Sequence, residues 1–102
     1  MSNVLTVVAR LRAAAGKGDA LAALLAEQVA TVRGTEPGCL AYTAHRSTSD
    51  PDLFLFYEVY ENEAAFDFHR RSVHLVAYRE RREAEGLTAG AAEVETFRPI
   101  AG

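Results

Sequence analysis

The chain has no tryptophan, one methionine, three prolines and a single cysteine in 102 residues. A lone thiol, Cys39, cannot close a disulfide within the chain, so the fold must rest on its apolar core. Basic residues are also scarce: 11 Lys and Arg face 14 Asp and Glu, for a net charge of −3. That balance leaves no basic footprint for nucleic acid or an anionic membrane surface. No apolar run approaches the ~20 residues of a membrane span. The opening MSNVLTVVARLR shows no basic leader followed by an apolar stretch and a small-residue cleavage site, so the cytoplasm is the expected location. Nucleotide signatures are missing too. The stretch AAAGKGDA is not a phosphate loop, because Leu11 and Gly18 stand where that loop needs Gly and Ser or Thr. There is no dinucleotide or flavin fingerprint and no Ser-His-Asp arrangement with recognisable flanks.

What is present is an ordered composition, 49% hydrophobic and 25% charged. Residues 1–102 are expected to form one domain with a single modest core. Alternation from Asn3 to Arg12 predicts a strand with Leu5, Val7, Ala9 and Leu11 on one face. Leu21, Leu24, Leu25, Gln28, Val29 and Val32 recur at helical spacing, predicting a helix over 19–33 that Gly34 ends. Cys39–Arg46 reads as a second strand, with Leu40, Tyr42 and Ala44 sharing a face, and Leu53–Glu61 as a third paired to it. Asn62 and Ser72 suit the N-caps of two successive helices, the first through about Arg70 and the second through about Glu85. Val94–Pro99 closes the chain as a fourth strand. The order β-α-β-β-α-β, with its second helical region in two pieces, predicts a ferredoxin-like α+β fold with an antiparallel sheet.

The third strand carries apolar residues on both faces: Leu53, Leu55, Tyr57 and Val59 on one, Phe54, Phe56, Glu58 and Tyr60 on the other. A sheet covered on one side alone should alternate apolar and polar. Both faces are therefore expected to be covered, the second by another copy of the chain in a homodimer.

Chemistry concentrates in FYEVYENEAAFDFHRRSVHLVAY, residues 56–78. Glu58, amid an apolar strand, must be paired, hydrogen-bonded or raised in pKa. It is either half of a proton-transferring couple with a nearby imidazole or a structural ion-pair partner. His69 and His74 are five apart, about 140° on one continuous helix, and so lack the i, i+4 spacing of a helical metal pair. Three dispersed histidines, counting His45, give no zinc signature, and no metal site is expected. Cys39 reads as a core residue rather than a nucleophile.

The same stretch resembles the signature of the antibiotic biosynthesis monooxygenase family, in which a strand with Glu and an aromatic leads to a helix ending in His and then to a second His. LTVVARLRAAAGKGDAL, EPGCLAYTAHRS and VETFRPI extend the resemblance over the whole chain. It is most similar to the small quinol-monooxygenase-like members. The resemblance implies a dimeric α+β barrel whose pocket holds a quinol or phenolic, polyketide-like aromatic and oxidises it with dioxygen, without metal, flavin or other cofactor. It implies Tyr60, His69, His74 and Glu58 as catalytic residues, and Phe54, Phe56, Phe66, Val73 and Tyr78 as substrate contacts. Polyketide-oxidising members carry Asn and Tyr where this chain has Phe56 and Phe66, a departure from their Asn-assisted route. Ala9 and Arg79 stand where haem-degrading relatives have Asn and His, so haem degradation is not expected. Two other readings fit the fold: isomerisation of a small oxygenated metabolite, and ligand binding without catalysis.

Overall fold

The computed structural model describes residues 3–102. The elements follow as β1 (Leu5–Arg12), α1 (Gly18–Thr35), β2 (Cys39–Arg46), β3 (Leu53–Tyr60), α2 (Glu63–Arg70), α3 (Val73–Ala84) and β4 (Glu93–Phe97). The strands form one antiparallel sheet in the order β2-β3-β1-β4. This is the ferredoxin-like arrangement, with the helices on one side of the sheet.

Strand periodicity decides which side chains meet the helices. Leu5, Val7, Ala9 and Leu11 of β1 are buried, as are Phe54, Phe56, Glu58 and Tyr60 of β3. Register places Val7 beside Glu58, and Glu58 beside Tyr42, so that buried row runs across three strands. Leu21, Leu24, Leu25 and Val32 of α1 cover it, joined by Leu75 and Tyr78 of α3. A second cluster of Leu5, Val7, Tyr60 and Phe66 closes the end under α2. No helix of the described residues is long and apolar enough to cross a membrane.

Two local expectations need correction. Gly34 does not end α1, which continues to Thr35. The residue before a proline is driven from helical toward extended backbone. Glu36, preceding Pro37, takes φ −119° and ψ 88°, and its N–H still bonds to Val32 O. Leu40 does not join Tyr42 and Ala44 inside. The β2–β3 register shifts between Cys39 and Ala41, which turns Leu40 to solvent at 57% exposure. Both helix caps form as expected: Asn62 Oδ1 accepts from Ala65 N and Ser72 Oγ from Leu75 N.

Gly38 is the tightest point of the turn into β2. A Cβ there would lie 2.8 Å from the Ala65 methyl and 3.3 Å from Glu61 Oε1. Gly38→Ala is expected to lower stability by about 1–3 kcal/mol through overpacking, measurable by denaturant unfolding.

Candidate active site

A cavity of about 480 Å³ opens between the helix-facing side of β1, β3 and β4 and the helices α2 and α3. Val7, Ala9, Leu11, Phe56, Phe66 and Leu75 give it apolar walls, and Tyr42 and Tyr78 add aromatic ones. Glu58 and His69 line it with them.

Each polar group is placed by an element already described. Glu58 occupies an inward position of β3, and the next inward residue, Tyr60, donates its hydroxyl to Glu58 Oε1 at 2.6 Å. His69 sits in the last turn of α2 and is 4% exposed. Its Nδ1 lies 2.8 Å from Glu36 Oε2. A carboxylate can only accept, so Nδ1 carries the proton and Nε2 is left with its lone pair. Nε2 lies 3.9 Å from Glu58 Oε1. The break at Arg71 and Ser72 turns α3 so that His74 Nε2 also donates to Glu36 Oε2.

Burial governs the protonation of this group. It pushes the Glu58 carboxyl up to about 7, helped by the charge on Glu36 and opposed by the Tyr60 hydrogen bond and by Arg79. Burial also lowers His69 below the usual imidazole value, and the Glu36 contact works against that shift. The Tyr60 phenol is driven far up by burial and by the Glu58 charge. Tyr60 is therefore a hydrogen-bond donor that holds Glu58, and is fully buried behind it rather than on the cavity wall.

The sequence-predicted residues separate accordingly. Glu58, His69, Phe56, Phe66 and Tyr78 line the cavity. Phe54 lines a different cavity, against α1, where the Arg46 guanidinium lies 5.0 Å from its ring centroid. His74 borders a third, small one and reaches the main site through the shared Glu36 carboxylate and its ring, 6.4 Å from that of His69. Val73 is the first residue of α3, is 85% exposed and lines no part of the cavity. Val73→Ser is accordingly expected to change stability by less than about 0.5 kcal/mol and to leave ligand binding unaltered in parallel titrations. Cys39 stays a packing residue: burial pushes its thiol up to about 11 and its Sγ bonds to Ala41 O. His45 is exposed and bonded to Thr43.

Glu36 is not among the residues singled out from the sequence. A signal was available: an acidic side chain at the C-terminal end of a helix faces the negative end of its dipole, so it calls for a cationic or N–H partner. The imidazoles of His69 and His74 supply two such N–H groups. Helical spacing alone kept the two histidines apart, whereas the break before α3 brings both onto one carboxylate. The three donor groups lie within 4.8 Å of one another, a separation at which a divalent cation could be shared. The same contacts also join them as a hydrogen-bonded cluster through Glu36 Oε2, while Glu36 Oε1 is buried with no hydrogen-bond partner among the described residues.

Comparison with known proteins agrees with this architecture. The family model described as antibiotic biosynthesis monooxygenase matches residues 4–81. The crystal structure of PA3566 from Pseudomonas aeruginosa is 33% identical and superimposes with a TM-score of 0.85 over 99% of this chain and 98% of its own. SO0527 from Shewanella oneidensis is 30% identical, with a TM-score of 0.84 over 95% and 91% of the two chains. A Synechocystis protein, sll1783, is 31% identical over 64 residues, which make up 63% of this chain and 42% of that protein. Glu36, Glu58 and His69 all fall within residues 4–81, as do α1, β3 and α2, the elements that place them. The chain belongs to the antibiotic biosynthesis monooxygenase family.

Proposed function

We propose that the protein is a monooxygenase that binds a hydroxylated aromatic, a quinol or phenolic compound, in the main cavity and oxidises it with dioxygen. The observation that carries this reading is the Glu36–His69–Glu58 arrangement at the inner end of an aromatic-walled cavity. Glu58 Oε1 and His69 Nε2, 3.9 Å apart, leave room for one hydroxyl oxygen at about 2.8 Å from both. Glu36 fixes the His69 tautomer, so Nε2 takes the substrate proton, and the acid form of Glu58 donates to the oxyanion left behind. The resulting electron-rich ring reduces dioxygen itself. Quinol and dioxygen give hydroxyquinone and water, a balanced reaction whose four electrons all come from the ring. The reading thus needs no flavin or metal.

A homodimer belongs to the same reading. The sheet face turned away from the helices carries Val8, Leu55, Tyr57 and Val59, with Tyr57 43% exposed. Burying that face against a second copy removes apolar surface from water. Sedimentation should give twice the mass of one chain, and a stable monomer would contradict it.

The function is tested by following oxygen uptake with a panel of quinols and anthrones, with substrate loss under nitrogen as the comparison. Uptake matched to substrate loss supports oxidation. Equal turnover without oxygen replaces it with isomerisation, and no turnover with retained binding replaces it with a ligand-binding role.

A further inference from the structure

The cavity that holds Glu58 is otherwise positively charged. Three guanidiniums, Arg70, Arg79 and Arg82, line it, and Glu58 is its single carboxylate among the described residues. This is unexpected in a chain with 14 acidic and 11 basic residues. Arg70 is paired with Asp67 and lies over the Phe66 ring. Arg82 lies 5.2 Å from the Tyr78 ring centroid and donates to its hydroxyl, with no carboxylate partner among the described residues. Arg79 has neither an ion pair nor a hydrogen-bond partner for its side chain among them. Elsewhere Arg10, Arg12, Arg46, Arg81 and Arg98 each hold a carboxylate. Arg33 and Arg71 lack one too, but neither lines the cavity.

The placement follows from helical spacing. Leu75, Tyr78, Arg79 and Arg82 recur at i, i+3, i+4 and i+7, so the face of α3 that buries Leu75 and Tyr78 carries the two arginines along its border. Arg79 is close enough for its charge to act on Glu58, His69 and Tyr78. A guanidinium fork beside apolar walls is a strong receptor for a carboxylate or similar anion, and low-dielectric walls focus its field.

We propose that the substrate carries an anionic substituent, a ring carboxylate in the first instance, which Arg79 and Arg82 bind while the ring hydroxyl faces Glu58 and His69. This rests on the proposed aromatic substrate and narrows it to a charged class.

The test is anaerobic titration of the full chain with 1,4-dihydroxynaphthalene-2-carboxylate and with 1,4-dihydroxynaphthalene, repeated at high salt. Without oxygen, binding is read independently of oxidation. The carboxylate should bind at least about tenfold more tightly at low salt, with a smaller margin at high salt. The preference should vanish in Arg79→Gln/Arg82→Gln and persist in part in Arg79→Lys/Arg82→Lys. It should be unchanged in Arg33→Gln, whose side chain lies elsewhere on α1. Equal affinity for the two compounds, binding of neither, or a preference that survives Arg79→Gln/Arg82→Gln would overturn the proposal. Preferential binding without oxygen consumption would leave it standing while removing the oxidation reading.

Discussion

His69→Ala is expected to lower kcat/KM for a quinol substrate by about 10²–10⁴-fold, the range that a positioned general base supplies. The loss should fall mainly on kcat, because His69 acts on the proton rather than on the apolar ring that dominates binding. The substitution also strips Glu36 Oε2 of one of its two imidazole donors at a buried position. A stability cost of about 1–3 kcal/mol is therefore expected alongside the kinetic one. Two further variants separate the effects. His69→Gln keeps a donor for Glu36 without a base, and should be nearly as inactive while folding better. Glu36→Gln keeps the base but can present an N–H to Nδ1, which favours the wrong tautomer. It should reduce kcat by a smaller factor, on the order of 10-fold or more. Steady-state kinetics with thermal unfolding of the same preparations checks all three.

The second large effect concerns pH. His69 must be neutral to accept a proton, and burial lowers its pKa, so the competent form is present above that lowered value. Glu58 must be protonated to donate, and burial raises it to about 7, so its competent form is present below that pH. The profile of kcat/KM should therefore be bell-shaped, rising through the depressed His69 value and falling near pH 7. Glu58→Gln retains an N–H donor that does not titrate. Its profile should keep the rising limb and lose the falling one, leaving the variant more active than the parent at pH 9. Glu58→Ala has no donor and should be impaired at every pH. A falling limb that stays near 7 in Glu58→Gln would assign that limb to another group.

Much of the fold was legible because it depends on periodicity and caps. Leu5, Val7, Ala9 and Leu11 announce the inner face of β1, and Asn62 and Ser72 mark where α2 and α3 begin. Gly34 does not end α1 because glycine is a helix stop where the chain takes left-handed backbone, which Gly34 does not, so α1 runs past it and ends only before Pro37. Leu40 misled because a register shift is invisible in a two-residue repeat. In the candidate site, Glu58 could be picked out as a carboxylate on an apolar face. Tyr60 and His69, near it in the chain, are named with it, but the carboxylate that orients His69 could not be. Glu36 arrives from the end of α1, 33 residues before His69. The resemblance implies Val73 as a substrate contact, yet its position at the start of α3 faces it to solvent. Arg79 and Arg82 lie in YRERREAE, whose mixed charges read from the sequence alone as a solvated helix face. Only packing of α3 against the sheet shows which two of its arginines border the cavity.

The most direct test of the central claim is isotope transfer from dioxygen labelled with oxygen-18, using a quinol substrate and mass spectrometry of product and water. One labelled atom in the hydroxyquinone and one in water, at a rate that His69→Ala lowers by about 10²-fold or more, is the predicted result. Product formed with no label, or labelled equally fast by His69→Ala, would contradict it.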